Sequence, residues 1–321
     1  MSGRFSSISA EIPDARFEFY ALGDGARLRY IVLEPQGTPR GTFLIIEGRR
    51  EFIEKKYFEI GRDLLIRGFR IICFDARGQG FSSRLFDGDR HQRDHVVDFG
   101  IYLNDLRAFY RDVVKPRQSG PLFVFAHSLG GLIVTRWLAE KTGSNAPDIK
   151  AIIMTAPALA IGVPPLSRPI SRIAAKLGRG ERYAVGQRDY GGQDRRFKFN
   201  VLSHDPVRFS IIEKYFDSNS DLKVGGVTWS WLAAALDCIK LLHEPGYLER
   251  VTTPVLALFG GKDIVTPPAK IIPLIRRMPN AECVLIPGAL HDLMNEADKY
   301  RNKAWGCVDG FLKHATRINA K

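Results

Sequence analysis

Three polar residues far apart in this chain have the types needed for acyl transfer: Ser128, Asp263 and His291. A serine hydroxyl is a poor nucleophile at its own pKa, so an imidazole must take its proton during attack and return it to the leaving group. His291 suits that task. A carboxylate must hold the imidazole in the productive tautomer and stabilise the imidazolium, which is the role expected of Asp263. The charge on the tetrahedral intermediate needs preorganised N–H donors, each worth about 3 kcal/mol of transition-state stabilisation. We expect these donors, an oxyanion hole, from the backbone of Leu129, directly after the serine, and of Arg49, directly after Gly48.

Each residue also has a plainer reading. A serine before a helix is often only a cap, an aspartate after a strand only a turn, and a histidine in a loop only a satisfied side chain. His127 is a supporting residue rather than the base, because adjacent side chains leave a strand on opposite sides. Asp292, next to His291, is the weaker candidate for the acid.

Positioning decides between these readings. Leu122-Phe-Val-Phe-Ala-His127 is an apolar run that reads as a buried strand, and residues 129–140 carry apolar side chains at helical spacing. The sharp turn between them would hold Ser128 exposed, provided the residues two before and two after are small. Ala126 and Gly130 meet that condition. Apolar runs at 41–46, 69–74, 149–154, 254–259 and 281–286 read as further strands, after an entry hairpin formed by 17–21 and 28–33. Helical spacing recurs over 56–67, 96–114 and 300–314. Strand and helix in alternation imply a parallel sheet with right-handed crossovers. Ser128, Asp263 and His291 then all follow the carboxyl ends of strands, where open α/β sheets place their sites.

The rhythm breaks over 157–244, which is Pro-rich at first, basic, and without a buried strand run. We expect a core made of residues 1–156 and 245–321 with 157–244 inserted as a helical cap. The helix read over 229–242 has a broad apolar face, for which packing on the core is the favoured role over substrate contact.

Composition excludes some classes. With 45% hydrophobic and 26% charged residues the chain reads as a globular protein, and no apolar run is long enough to span a bilayer. The first eleven residues lack a continuous apolar stretch, so no secretory signal is read and the cytoplasm is the expected compartment. Cys73, Cys238, Cys283 and Cys307 lack metal-ligand spacing and are expected to be reduced, buried thiols. Gly78-Gln-Gly80 lacks the third glycine of a dinucleotide loop. His91 and His95 share a four-residue spacing but have no third ligand, so a structural role is expected. Half of the net charge of +12 falls between Arg168 and Lys198, where nine basic residues face three acidic ones. A solvated face is the plain reading of this stretch, and an anionic membrane surface is the functional one.

The chain resembles the α/β-hydrolases, and within them the lysophospholipase L2 and monoacylglycerol lipase group. The resemblance rests on Glu47-Gly-Arg-Arg-Glu51, similar to that group's His-Gly-x-x-Glu oxyanion loop, on Asp75-Ala-Arg-Gly-Gln-Gly-Phe-Ser82, on Ala126-His-Ser-Leu-Gly-Gly131, and on Asp263 and His291 in that order. Glu47 stands where the group has His, and Ala126 replaces the first Gly of the turn. The resemblance implies a serine ester hydrolase working through an acyl-enzyme on a lysophospholipid or monoacylglycerol, with no cofactor, no metal and no nucleic-acid partner. The basic stretch from Arg168 to Lys198 is compatible with peripheral contact with an anionic membrane surface at the inner face. One triad serves many chemistries, so a carboxylesterase, an aminopeptidase, a carbon–carbon bond hydrolase or a non-catalytic ligand-binding member are the alternatives.

Overall fold

The computed structural model describes the backbone of residues 16–140 and 147–317 and the side chains of all of these but 55–58, 316 and 317. The opening eleven residues, on which the absence of a signal was read, lie outside the described residues. Eight strands form one sheet: β1 (Phe17–Ala21), β2 (Arg27–Leu33), β3 (Thr42–Ile46), β4 (Arg70–Phe74), β5 (Leu122–His127), β6 (Ile149–Thr155), β7 (Val255–Gly260) and β8 (Ala281–Ile286). Their order is β1-β2-β4-β3-β5-β6-β7-β8. The hairpin β1–β2 joins β4 antiparallel, and every pair from β4 to β8 is parallel.

Side chains alternate between two cores, as the period of a strand requires. Leu44, Val124, Ile152 and Ala257 face one core with Phe109, Leu132 and Trp137. Phe43, Phe123, Ile153 and Leu256 face the other with Ile60 and Trp305. Both faces of β3, β5 and β7 are therefore covered, which is why these strands read as unbroken apolar runs. β8 is the edge strand and pairs only with β7, so Cys283 on it is half-buried. Cys307 is half-buried too, and the expectation of four buried thiols holds only for Cys73 and Cys238; all four are free.

Eight helices of eight or more residues are described: α1 (Ile53–Ile66), α2 (Gly100–Phe109), α3 (Leu129–Ala139), α4 (Ser167–Ala174), α5 (Pro206–Ser218), α6 (Trp229–His243), α7 (Pro268–Ile275) and α8 (Asp298–Arg317). Two differ from the sequence reading. α1 begins three residues before the expected position 56, where Ile53 N–H donates to Asp75 Oδ1 (2.9 Å). The helix expected over 96–114 starts at Gly100, whose N–H is taken by the Asp98 side chain, turns π-helical over Tyr110–Val114 and runs on to Arg117. Between β6 and β7 the described chain adds α4, α5 and α6 and no strand of the sheet; an isolated bridge joins Tyr183 to Thr228.

Candidate active site

Ser128 lies at the junction of β5 and α3 with φ 49° and ψ −112°. A left-handed φ at a residue with a side chain costs on the order of 1–3 kcal/mol, so the surroundings must over-determine it. They do. Ser128 N–H donates to Thr155 O (3.0 Å), and Ser128 O accepts from Gly131 N–H (3.0 Å) and Ala158 N–H (2.9 Å). The hydroxyl makes no cap bond to α3, so the plain reading of this serine as an N-cap does not apply. The close approach that makes the turn possible depends on Gly130: a Cβ there would stand 2.3 Å from Ile46 O and 2.6 Å from Glu47 O.

Asp263 follows β7 and His291 follows β8. Both are buried, at 5% and 4% exposure. His291 Nδ1 lies 2.8 Å from Asp263 Oδ2. The Asp263 carboxylate is held on every side: Oδ1 accepts from Val265 N–H (2.8 Å) and Thr266 N–H (3.0 Å), and Oδ2 also accepts from the Thr266 hydroxyl (2.6 Å). Burial acts to raise its pKa, but the bonds from His291 and Thr266 outweigh it and leave Asp263 below the usual aspartate range. An ionised Asp263 accepts only, so Nδ1 carries the proton and Nε2 is left as the basic nitrogen. Thr266 was not foreseen. An Asx turn reaches only two residues on, to Val265, so no sequence spacing announced the Thr266 hydroxyl.

The other candidates separate clearly. Asp292 is buried beside His291 but accepts from Asn295 Nδ2 (3.0 Å), while Nδ1 of His291 is taken by Asp263. His127 Nδ1 is within 3.1 Å of Thr155 O and 2.9 Å of Thr155 Oγ1, a supporting position as expected, and its ring lies 5.0 Å from that of His291. His91 bonds locally to Gly88 O (3.0 Å), and His95 bonds across the chain to Thr228 Oγ1 (2.9 Å).

The loop after β3 packs directly on the serine turn. A Cβ on Gly48 would stand 2.9 Å from His127 Cδ2 and 3.3 Å from Ser128 Cβ. Beyond it Arg50 has φ 62° and donates its N–H to Gln79 Oε1 (2.7 Å). The Arg49 side chain reaches Asp94 Oδ2 (3.3 Å) and Gly225 O (2.8 Å), so the loop is tied both to the sheet domain's own turns and to the segment between β6 and β7. Leu129 opens α3, and its N–H is one of the first four of a helix, which have no carbonyl partner within it. Glu47, where the resembled group has His, is buried with Oε1 3.9 Å from Cys73 Sγ.

Ser128 and His291 line one cavity of about 860 Å³, a size suited to a small molecule. Phe99, Leu132, Ile161, Phe216, Trp231 and Ile239 make much of its wall. α6 therefore does two things at once. Trp231 and Ile239 belong to the packed core and also face the cavity, where the sequence reading favoured packing alone. Glu51, His127 and Asp292 also border the cavity and bring ligand-type atoms within 4.8 Å of one another, the one group among the described residues whose donors suit a metal ion. They come from the loop after β3, the end of β5 and the loop after β8, and no sequence spacing announces them.

Residues 37–298 match the family described as serine aminopeptidase, S33. The chain is 30% identical over 314 residues to lysophospholipase L2 of Escherichia coli strain K12, covering 91% of this chain and 86% of that one. It is 27% identical over 283 residues to the probable lysophospholipase L2 of Haemophilus influenzae, covering 88% and 86%. Among solved structures it resembles a soluble variant of monoglyceride lipase from Saccharomyces cerevisiae, with a TM-score of 0.74 at 22% identity over 96% of this chain and 97% of that one. With its mostly parallel sheet, its serine on a strained strand-to-helix turn and this likeness along most of its length, the chain belongs to the serine aminopeptidase S33 family of α/β-hydrolases.

Proposed function

We propose that this protein is a serine ester hydrolase that cleaves a single-chain lipid ester, a lysophospholipid or monoacylglycerol, with Ser128 as nucleophile, His291 as base and Asp263 as orienting acid. Ser128 Oγ attacks the ester carbonyl while His291 Nε2 takes the hydroxyl proton. The tetrahedral oxyanion is bound by the N–H groups of Leu129 and Arg49, and collapse expels the glycerol oxygen, which receives the proton from His291. Water, activated by the same nitrogen, then releases the fatty acid from the acyl-enzyme. The observation that carries this reading is His291, bonded to Asp263, lining the same largely apolar cavity as a strained, uncapped serine.

Residues 157–244 would serve as the cap between core segments 1–156 and 245–321. In support, α4 and α6 supply Ile170, Trp231 and Ile239 to the cavity wall. The outer side of α4 supports contact with an anionic membrane at its cytoplasmic face. Leu166, Ile170, Ile173 and Leu177 recur at helical spacing yet are 66, 48, 57 and 71% exposed. Arg168, Arg172, Lys176 and Arg179 flank them. An apolar stripe with basic flanks suits a helix lying in a lipid interface, and Leu166 and Ile170 also line the cavity, so a lipid could enter from that interface. No helix among the described residues is long and apolar enough to cross a membrane.

The test is hydrolysis of 1-acyl lysophospholipid, 1-acylglycerol, p-nitrophenyl butyrate and aminoacyl amides by the wild type and Ser128→Ala. We expect ester turnover by the wild type and a loss on the order of a millionfold in kcat for the variant. Preference for aminoacyl amides would overturn the substrate class, and activity retained by Ser128→Ala would overturn the mechanism.

A further inference from the structure

Among the described residues that line the cavity, the two Lys or Arg side chains are adjacent in sequence, Arg49 and Arg50. They stand at the catalytic end of it, one and two residues past Gly48, which packs on Ser128. Their guanidinium groups converge. Arg49 Nη1 (2.8 Å) and Arg50 Nε (3.1 Å) donate to the same oxygen, Gly225 O, so these two nitrogens are at most 5.9 Å apart.

Carboxylates near this pair are shared with other donors. Asp94 lies 3.3 Å from Arg49 Nη1 and also accepts from Gln79 Nε2 at 3.4 Å. Asp194 approaches Arg50 Nη1 at 3.8 Å, longer than a hydrogen bond, and is shared with Arg188 at 3.7 Å. Glu213, which lines the cavity as Asp194 does, is engaged by Arg195 Nε (2.9 Å) and the Tyr190 hydroxyl. Glu51 and Asp292 group with His127. Burial and the neighbouring Arg49 push the Arg50 pKa down to about 10 in spite of Asp194 and Asp94, so an added anion would stabilise this cation in place.

We infer that Arg49 and Arg50 form a subsite for the phosphodiester of a lysophospholipid, and that this pair makes the enzyme discriminate lysophospholipid from monoacylglycerol. Two planar guanidiniums held together match the paired oxygens of a phosphate, and Arg binds such groups in a fork geometry that neutral glycerol cannot exploit. In a 1-acyl lysophospholipid the phosphorus is six bonds from the scissile carbonyl carbon, which suits a subsite one and two residues beyond the turn that abuts the nucleophile. The inference rests on the lipid-ester reading above.

The experiment compares kcat/KM for 1-oleoyl lysophosphatidylethanolamine and 1-oleoylglycerol in the same neutral detergent micelles, for the wild type, Arg50→Gln and Arg50→Lys. The ratio of the two constants should fall roughly tenfold to a hundredfold in Arg50→Gln, mainly through KM for the lysophospholipid, and recover in part in Arg50→Lys. An unchanged ratio, or a parallel loss on both lipids, overturns the subsite while leaving the lipid-ester reading intact. Wild-type turnover of p-nitrophenyl butyrate but of neither lipid overturns both. A second measurement needs only the wild type: glycerophosphoethanolamine should inhibit p-nitrophenyl butyrate hydrolysis competitively, and glycerol should not. Equal inhibition by inorganic phosphate would assign the site to free phosphate, and no inhibition by glycerophosphoethanolamine would refute it.

Discussion

Gly130→Ala is the smallest change that tests whether the serine turn and the loop after β3 act as one unit. The added methyl would stand 2.3 Å from Ile46 O, 2.6 Å from Glu47 O and 2.8 Å from Ile46 C, all backbone atoms with no flexible end to give way. Ordinary contact begins at 3.4 Å, so the start of α3 and the end of β3 must part by about 1.1 Å. The proposed oxyanion donors sit on those two elements, Leu129 on one and Arg49 just beyond the other. An N–H to oxyanion bond lengthened by that much no longer counts as a hydrogen bond, and losing one such donor lowers kcat by roughly a hundredfold to a thousandfold. Overpacking should cost a further ~1–3 kcal/mol of stability. The assay is kcat on p-nitrophenyl butyrate alongside a thermal melt. Gly306→Ala serves as the control, because Gly306 is an exposed residue of α8 with nothing within 4 Å of a new Cβ. That variant should melt at or slightly above the wild-type temperature. A Gly130→Ala enzyme with wild-type kcat and wild-type Tm would refute the reasoning, since the turn would then have slack that the contact distances deny it.

Asp263→Asn should keep the fold and lower kcat on the order of ten-thousandfold, because an amide in place of the carboxylate favours the wrong tautomer of His291; the check is kcat against a matched melt. Thr266→Val removes the hydroxyl bond to Asp263 Oδ2 and should destabilise the protein by ~1–3 kcal/mol at neutral pH. Asp263 titrates below its unfolded range, so its contribution is present above the ordinary aspartate pKa and is lost as the pH falls through the folded value. The difference in Tm between wild type and Thr266→Val should therefore shrink on acidification, and a constant difference would contradict it. Ile173→Asp on α4 and Leu177→Asp just beyond it should each weaken sedimentation with phosphatidylglycerol vesicles by about tenfold, from ~1.5 kcal/mol of lost apolar burial per side chain. Raising the salt should weaken wild-type binding as well.

The local chemistry of the site is written in short stretches of this chain. While the strained φ of Ser128 is held by the distant Thr155 O and Ala158 N–H, an apolar run, Ser128 between Ala126 and Gly130, and a helical spacing after it announce a strand, a turn and a helix, because sterics and hydrophobic period act over a few positions. The same holds for Asp263 and His291, each just past an apolar run, since every parallel strand delivers its carboxyl end to the same edge of the sheet. What those stretches do not contain is which distant loops meet. The order β2-β4-β3-β5 crosses the chain back on itself, and β8 lies at the edge, leaving Cys283 half-buried. Gly225 O joins Arg49 and Arg50 across more than 170 positions, Glu51 meets His127 and Asp292, and α6 turns Trp231 to both core and cavity. Periodicity says which face of an element is apolar, but the partner of that face is set by the packing of all the elements together. For this protein, then, the sequence alone announced the residue types of the proposed hydrolytic site, and only the tertiary structure decided which side chains enclose the cavity around it.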